Sequence, residues 1–468
     1  MKMRVYNTAS RRKEELRTIR KGKVGIYSCG PTVYWDQHIG NMYAFLSWDV
    51  LNWVLKYIGY ETKWVMNITD VGHLTSDNDT GEDKMEKGAK REGLTVWEIA
   101  KKYEKQFMES LELLNIEKPD VFCRATEHIE EQIRLAKRIE KNGFSYKTKT
   151  GLVFDTEKFK DYAKFANLKL EKLDMGNRVE VDKGKKHEWD FLLWVTNQPD
   201  HIMKWDSPWG QGFPGWHIEC TAMSTKYLGE LFDIHTGGME HIPVHHTNEI
   251  AQGYGAFGKM TANYWMHNAW LSLKKGKMSK SGGGGYTVQD LVKQGFDLLA
   301  LRYLVLMSHY RKGLIFSIES LKAAKNGLEK LRDFVKKSKV ESRKVKSRAK
   351  IKINEKYKKL FIEKLSDDLA MPEAMAIVWK MVKDESVSLG DRLVTLMDFD
   401  RVLGLNLVSV GERGIESVPE EIKKMIKDRE EFRLAQNWKE ADRLRDLIKK
   451  KGFVVEDAGE KYRIKRVG

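Results

Sequence analysis

Apolar positions along the chain follow two rhythms. Short unbroken runs bounded by Gly or Pro read as strands buried on both faces, and apolar residues three and four apart read as helices. Val24-Gly25-Ile26-Tyr27-Ser28-Cys29 is the first such run, and Gly30-Pro31 breaks it. Over residues 42–60, apolar side chains at 45, 46, 50, 51, 54, 55 and 58 predict a helix, and 62–68 predicts the next strand. Strand, loop, helix, strand in this order makes a right-handed parallel unit of the kind found in nucleotide-binding α/β folds.

The pattern then changes. A helix is expected over 96–117, closed by Pro119. Residues 120–205 read as a helix at 127–142 followed by short strand-like pieces. Buried strands return at 231–235, ending in Gly237-Gly238, and at 264–273. A parallel sheet split by an insertion accounts for this order. After Val288 the chain turns strongly helical, with helical patterning again over 356–405 and a linker at 411–419. Residues 419–436 and 438–451 read as a helical hairpin, with Asn437 and Glu440 as a capping box and Gly452 as the stop.

The length of 468 residues suggests about three domains. Composition adds a charge argument: 83 Lys and Arg against 67 acids leave a net +16. Such an excess favours a polyanionic partner through phosphate contacts, although many soluble proteins are simply basic. Residues 336–352 carry nine Lys/Arg and one acid, Glu341, which reads either as a solvated linker or as a surface facing a nucleic acid. Cys29, Cys123 and Cys220 are too few and odd in number for a disulfide framework, which points to a reducing, cytoplasmic setting. No run approaches the ~18–20 apolar residues of a membrane span. The dinucleotide pattern G-x-G-x-x-G is missing, so NAD is not suggested.

Three constellations carry chemistry. Gly30-Pro31-Thr32-Val33-Tyr34 and His38-Ile39-Gly40-Asn41 lie between a strand and a helix start, where backbone N–H groups face phosphate. Alone, His-x-Gly there is more often a turn with a capping His. Lys277-Met278-Ser279-Lys280-Ser281 precedes four glycines, Gly282 to Gly285; two lysines on such a loop can close on a triphosphate, or the string is plain polar surface. Cys29, Cys220 in Trp216-His217-Ile218-Glu219-Cys220, and His245-x-x-x-Glu249 supply two thiolates, an imidazole and a carboxylate. The plainer reading is two buried cysteines and a surface His/Glu pair, and His241 and His246 compete with His245.

Together these segments resemble the cysteinyl-tRNA synthetases, a class I family. His38–Asn41 resembles the HIGH motif, with Asn at its last position, and Lys277–Ser281 matches KMSKS in full. Residues 27–34, Asn67-Ile68-Thr69-Asp70, 215–220 and 245–249 resemble segments particular to the cysteine enzyme, and Asp367-Asp368-Leu369 with 399–405 resembles its anticodon-binding region. Tyr43 stands where members often carry Arg, and Cys123 matches nothing catalytic.

The resemblance implies an α/β fold: a Rossmann-like parallel-sheet catalytic domain split by a connective insertion, then helical stem-contact and anticodon-binding domains. The expected spans are 1–120 and 206–285 for the catalytic halves, 121–205 for the insertion, 286–350 for the stem-contact region and basic linker, 351–410 for the anticodon-binding domain, and 411–468 for a helical hairpin and tail. It implies one zinc on Cys29, Cys220, His245 and Glu249, and Mg²⁺ with ATP. It implies His38, Asn41, Lys277 and Lys280 as catalytic groups, Gly40, His235 and Lys280 against ATP, and Thr69 and Trp216 lining the cysteine pocket. The implied reaction makes cysteinyl-adenylate from ATP and L-cysteine, then transfers cysteine to the terminal adenosine of tRNA(Cys), on a chain expected to be monomeric. A cysteine-adenylate ligase for a small amine and an inactive tRNA-binding paralogue are the alternatives.

Overall fold

The computed structural model describes residues 2–72, 83–168, 184–273, 285–344, 351–410, 420–435, 437–451, 453–458 and 461–466. The chain opens with a hairpin, β1 (Arg4–Asn7) and β2 (Arg12–Glu15). β3 (Lys23–Ser28) leads into α1 (Ile39–Tyr57) and back to β4 (Glu61–Ile68). α1 starts where it does because His38 is extended, at φ −77° and ψ 160°, and its ring accepts from the Asn41 amide. Gly30 is required between β3 and the helix: a Cβ there would fall 1.7 Å from the Asn67 carbonyl oxygen. α2 (Lys84–Glu92) and α3 (Val96–Leu113) follow, then β5 (Val121–Arg124).

α4 (Ile129–Lys141) opens the insertion, which folds as a four-stranded antiparallel sheet of β6 (Ser145–Thr148), β7 (Gly151–Phe154), β8 (Phe191–Thr196) and β9 (Gly212–Pro214). α5 (Trp216–Leu228), β10 (Phe232–Gly238), α6 (Thr247–Phe257) and β11 (Ala262–Asn268) complete the parallel sheet. Its order is β11-β10-β3-β4-β5, all parallel. Strand order reverses between β3 and β10, so a crevice opens at their carboxyl ends, where open α/β sheets bind ligands. The two sheet faces feed different cores. Ile26 packs with the α1 side, and its neighbour Tyr27 packs with α5 and the insertion strands.

β12 (Leu271–Leu273) pairs with β13 (Leu314–Phe316), bracketing α7 (Val288–Lys293) and α8 (Leu298–Leu306). α9 (Ile318–Lys344), α10 (Glu355–Leu365), α11 (Met371–Lys383) and α12 (Leu389–Leu403) form the helical region. α13 (Glu420–Leu434), α14 (Trp438–Lys450), β14 (Phe453–Ala458) and β15 (Lys461–Arg466) end the described chain. Ile422, Ile426, Ile448, Phe453 and Val455 give this last unit a small core of its own.

Arg302 locks the catalytic and helical parts together. Its guanidinium is fully buried, 2.6 Å from Asp49 on α1, and donates to the carbonyls of Leu403 and Asn115 at 2.6 and 2.9 Å. Gly404 must stay glycine beside it: its φ is +63°, and a Cβ would lie 2.5 Å from the guanidinium. Asp368 makes a second junction, accepting from Tyr6 N, Tyr310 Oη and Arg311.

Several expectations change. The strand expected over 264–273 is two, because Ala269 N turns to the Tyr310 carbonyl and the Trp270 carbonyl to Leu314 N. The sheet reaches Arg124 through β5, and β9 extends the insertion's sheet past 205. The basic run begins as helix, with Lys339 Nζ donating to the Val408 and Val410 carbonyls. Residues 351–410 share one apolar core with α1, α3 and α8. The tail is a β-hairpin. At 437–440 the Asn437 side chain accepts from Glu440 N. The linker at 411–419 and Gly452 lie outside the described residues.

Candidate active site and metal centre

The crevice at the β3/β10 switch point gathers residues far apart in sequence. Cys29 directly follows β3, and its amide donates to the Thr236 carbonyl on β10 at 3.2 Å. Cys220 lies on α5. His245 lies in the last part of a wide helical turn, Ile242–His246, that leads straight into α6 and Glu249. The four-residue spacing puts both on one face, and His245 Nε2 lies 3.1 Å from Glu249 Oε1. One ligand atom from each of Cys29, Cys220, His245 and Glu249 lies within 4.8 Å of the others, all four side chains being largely enclosed.

Burial and mutual contact shift the pKa of every member of the quartet. Burial, then the Cys220 sulfur, drives the Cys29 thiol well above its usual range. Its hydrogen bond to Cys29 pulls Cys220 down to about 7. Burial works against charging His245, but Cys220 and Glu249 outweigh it and push its pKa up to about 10. Burial also opposes the Glu249 carboxylate, and His235 and His245 overcome that to hold it at about 2. Two sulfurs, an imidazole and a carboxylate at this spacing fit zinc, whose tetrahedral ligands sit about 3.3–3.8 Å apart. A second quartet, Cys29, His235, His246 and Glu249, shares two of these residues. The set with two sulfurs is the softer and suits zinc better. His241 is held down to about 3 by burial and joins neither quartet.

Around the quartet the fold positions the expected pocket residues. Thr69 is fixed by backbone bonds to Pro31 and Val33, and its hydroxyl donates to the buried Glu219 carboxylate at 2.9 Å. Trp216 opens α5, its ring 4.8 Å from that of His245 and 4.8 Å from Lys84 Nζ. His38 and Gly40 sit at the start of α1, where Asn41 Oδ1 is buried with no partner among the described residues. Ile39 N donates to the Tyr286 carbonyl at 2.9 Å, so the chain leaving the lysine segment docks beside this helix start. Lys277 and Lys280 themselves lie outside the described residues.

The His235 ring is fully buried, stacks on Trp265 at 4.4 Å, and lies 2.8 Å from Glu249 Oε2. Sequence reasoning, which weighed His246 only as a rival ligand, missed the part played by Glu219 and the row that runs on from His246 to His267 and Thr8. Their signal was weak. His267 falls inside an apolar strand and Thr8 in an unremarkable N-terminal stretch, so only the fold joins them.

A family model described as the class I (C) tRNA synthetase catalytic domain matches residues 15–326, and one described as the cysteinyl-tRNA ligase anticodon binding domain matches 416–463. The chain is 44% identical to the cysteine–tRNA ligase of Treponema denticola over the whole of both chains. The chain belongs to the cysteine–tRNA ligases. Cysteine–tRNA ligase 1 of Burkholderia lata is also 44% identical, over 99% of this chain and 97% of its own. Among solved structures, Mycobacterium tuberculosis methionyl-tRNA synthetase in complex with methionyl-adenylate superposes with a TM-score of 0.57 at 15% identity, covering 84% of this chain and 92% of that one. That likeness speaks for the class I fold alone. As a cysteine–tRNA ligase the protein is an enzyme that forms aminoacyl-tRNA, with ATP, tRNA and the amino acid as substrates. The cysteine-specific segment at 416–463 disfavours a small-amine ligase. That segment lies beyond the 351–410 expected to bind the anticodon.

Proposed function

We propose that Cys29, Cys220, His245 and Glu249 hold one zinc ion at the floor of the cysteine pocket, and that the helix start at 38–41 and the lysine segment at 277–280 work on ATP above it. The observation that supports the metal reading is the convergence of four donor atoms within 4.8 Å in an enclosed site. Bound there, zinc would supply a Lewis-acidic cation that accepts a thiolate and discriminates against a neutral hydroxyl.

The chain's own residues do the rest. Thr69 and Trp216 wall the pocket and orient the amino acid so that its carboxylate faces the α-phosphate of ATP, which Mg²⁺ accompanies. Gly40 lets the nucleotide approach the helix start, and His38 and Asn41 donate to phosphate oxygens there. Lys277 and Lys280 neutralise charge as it develops on the leaving pyrophosphate. Catalysis on this reading is positioning and electrostatic stabilisation. A ribose hydroxyl of the tRNA's terminal adenosine then attacks the adenylate carbonyl. We further propose anticodon contacts within 416–463, where the anticodon-domain match lies, and a cytoplasmic monomer as the working form.

Metal analysis of the purified protein tests the central step. About one zinc per chain is expected, and Cys220→Ala should lose most of it. Full zinc retention in that variant would remove Cys220 from the site.

A further inference from the structure

Cys29 has a neighbour outside the ligand quartet. His246 Nε2 lies 3.3 Å from its sulfur. The His246 ring is wholly buried, and its Nδ1 lies 2.8 Å from Nε2 of His267 on β11. His267 in turn places Nδ1 2.8 Å from the Thr8 hydroxyl. Thr8 is held at this edge by its own amide, which donates to the Trp265 carbonyl at 2.8 Å. Trp265 faces the His246 ring edge-on at 5.2 Å. Three hydrogen bonds therefore run in line from the half-buried segment after β1 to the sulfur.

We propose that Thr8, His267 and His246 form a directional hydrogen-bond chain that positions the Cys29 thiolate for the metal. This rests on the zinc reading above. The direction follows from the sulfur end. A thiolate can only accept, so His246 must carry its proton on Nε2. A neutral imidazole then accepts at Nδ1, so His267 donates from Nε2 and accepts at Nδ1. The Thr8 hydroxyl supplies that last donor. Each tautomer is set by the group on its sulfur side, and the chain ends on a rotatable hydroxyl that can turn to donate.

A donor on the thiolate draws charge from sulfur and holds the Cys29 side chain in one rotamer. Both effects bear on the metal. Groups that orient a ligand in this way typically carry a 10–100-fold effect on metal affinity when removed. Thr8, His267 and His246 are thus positioning residues, acting through Cys29.

The test uses the full-length protein in wild-type, Thr8→Val, Thr8→Ser and His246→Gln forms. Zinc transfer to a chromophoric chelator is timed, and the cobalt(II)-substituted proteins are compared in the thiolate-to-metal charge-transfer band. Thr8→Val keeps shape and removes only the donor. It is expected to release zinc several-fold faster with a shifted band. Thr8→Ser restores the wild-type rate and band. His246→Gln releases metal ~10–100-fold faster. Wild-type protein that holds zinc alongside Thr8→Val and His246→Gln variants with unchanged rate and band overturns the chain alone. Wild-type protein that purifies without stoichiometric metal overturns the metal reading and this one with it.

Discussion

Arg302 and Asp49 face each other at 2.6 Å with no solvent exposure on either side chain. The pair ties α1, the helix that begins at Ile39, to the helical region, because Arg302 also donates to the Leu403 carbonyl. Burial raises the Asp49 carboxyl, and Arg302, helped by the Glu117 amide, offsets part of that rise. Arg302→Met should leave an uncompensated buried carboxylate and cost about 3–5 kcal/mol. Urea unfolding measures it. The double replacement Arg302→Met/Asp49→Leu should recover much of the loss, and a single-variant cost below about 1 kcal/mol would contradict a locking role.

Asp70 gives a pH prediction. Burial raises its carboxyl to about 6, although Thr126 donates to it from both its amide and its hydroxyl. The folded pKa thus lies above the ~3.9 of an unfolded Asp. Between those values the folded state binds the extra proton. The contribution is present in full below about pH 4 and lost as pH rises through about 6. Relative to Asp70→Asn, the wild type should lose about 2–3 kcal/mol of stability from pH 4 to pH 7. Parallel stability curves for the two proteins would show that Asp70 does not titrate in this range.

Lys280→Ala should slow cysteine activation by about 10²–10³, the usual cost of one charge-stabilising group. Rapid-quench measurement of adenylate formation reports this step directly. An unchanged rate would mean that the lysine segment is ordinary surface.

Truncation should separate activation from charging, and the structure says where to cut. Val410 is the last residue of the main apolar core, so a chain ending near Lys350 would expose that core. A chain ending at Val410 should keep cysteine-dependent pyrophosphate exchange and charge tRNA poorly, since residues 416–463 are gone. Equal charging by truncated and full-length protein would exclude an anticodon role for that segment.

Serine should be rejected by about 10⁴ or more in kcat/KM, the range reached when a site demands one specific polar partner. A pocket sorting by size alone would yield far less between oxygen and sulfur. Pyrophosphate exchange with each amino acid decides it, and discrimination below about a hundredfold would rule out sensing of the thiol by the quartet.

The order of elements and the motif segments were readable because their signals are local. Glycine breaks, helical spacing and the four-residue step from His245 to Glu249 need no knowledge of the rest of the chain. What escaped was set by distant partners. Ala269 leaves its strand because Tyr310 takes its amide, and the charged Lys461–Arg466 segment pairs with Phe453–Ala458 despite its basic residues. The sequence singled out His235 only through the family resemblance. Its burial behind Glu249 depends on α6, whose placement no spacing within β10 encodes.

The first strand also sets a clock. Tyr6 N donates to Asp368 Oδ1 across 362 positions of sequence. At ribosomal rates of about 5–20 residues per second, the strand waits roughly 20–70 s after its own synthesis before that acceptor exists. Thr8 waits a shorter time for Trp265 and His267. The nascent chain can therefore assemble its sheet around β3 and β4 while its N-terminal ribbon stays undocked. The centre that Thr8 helps to hold reaches its final geometry only after Trp265 and His267 have been made, well after Cys29 itself.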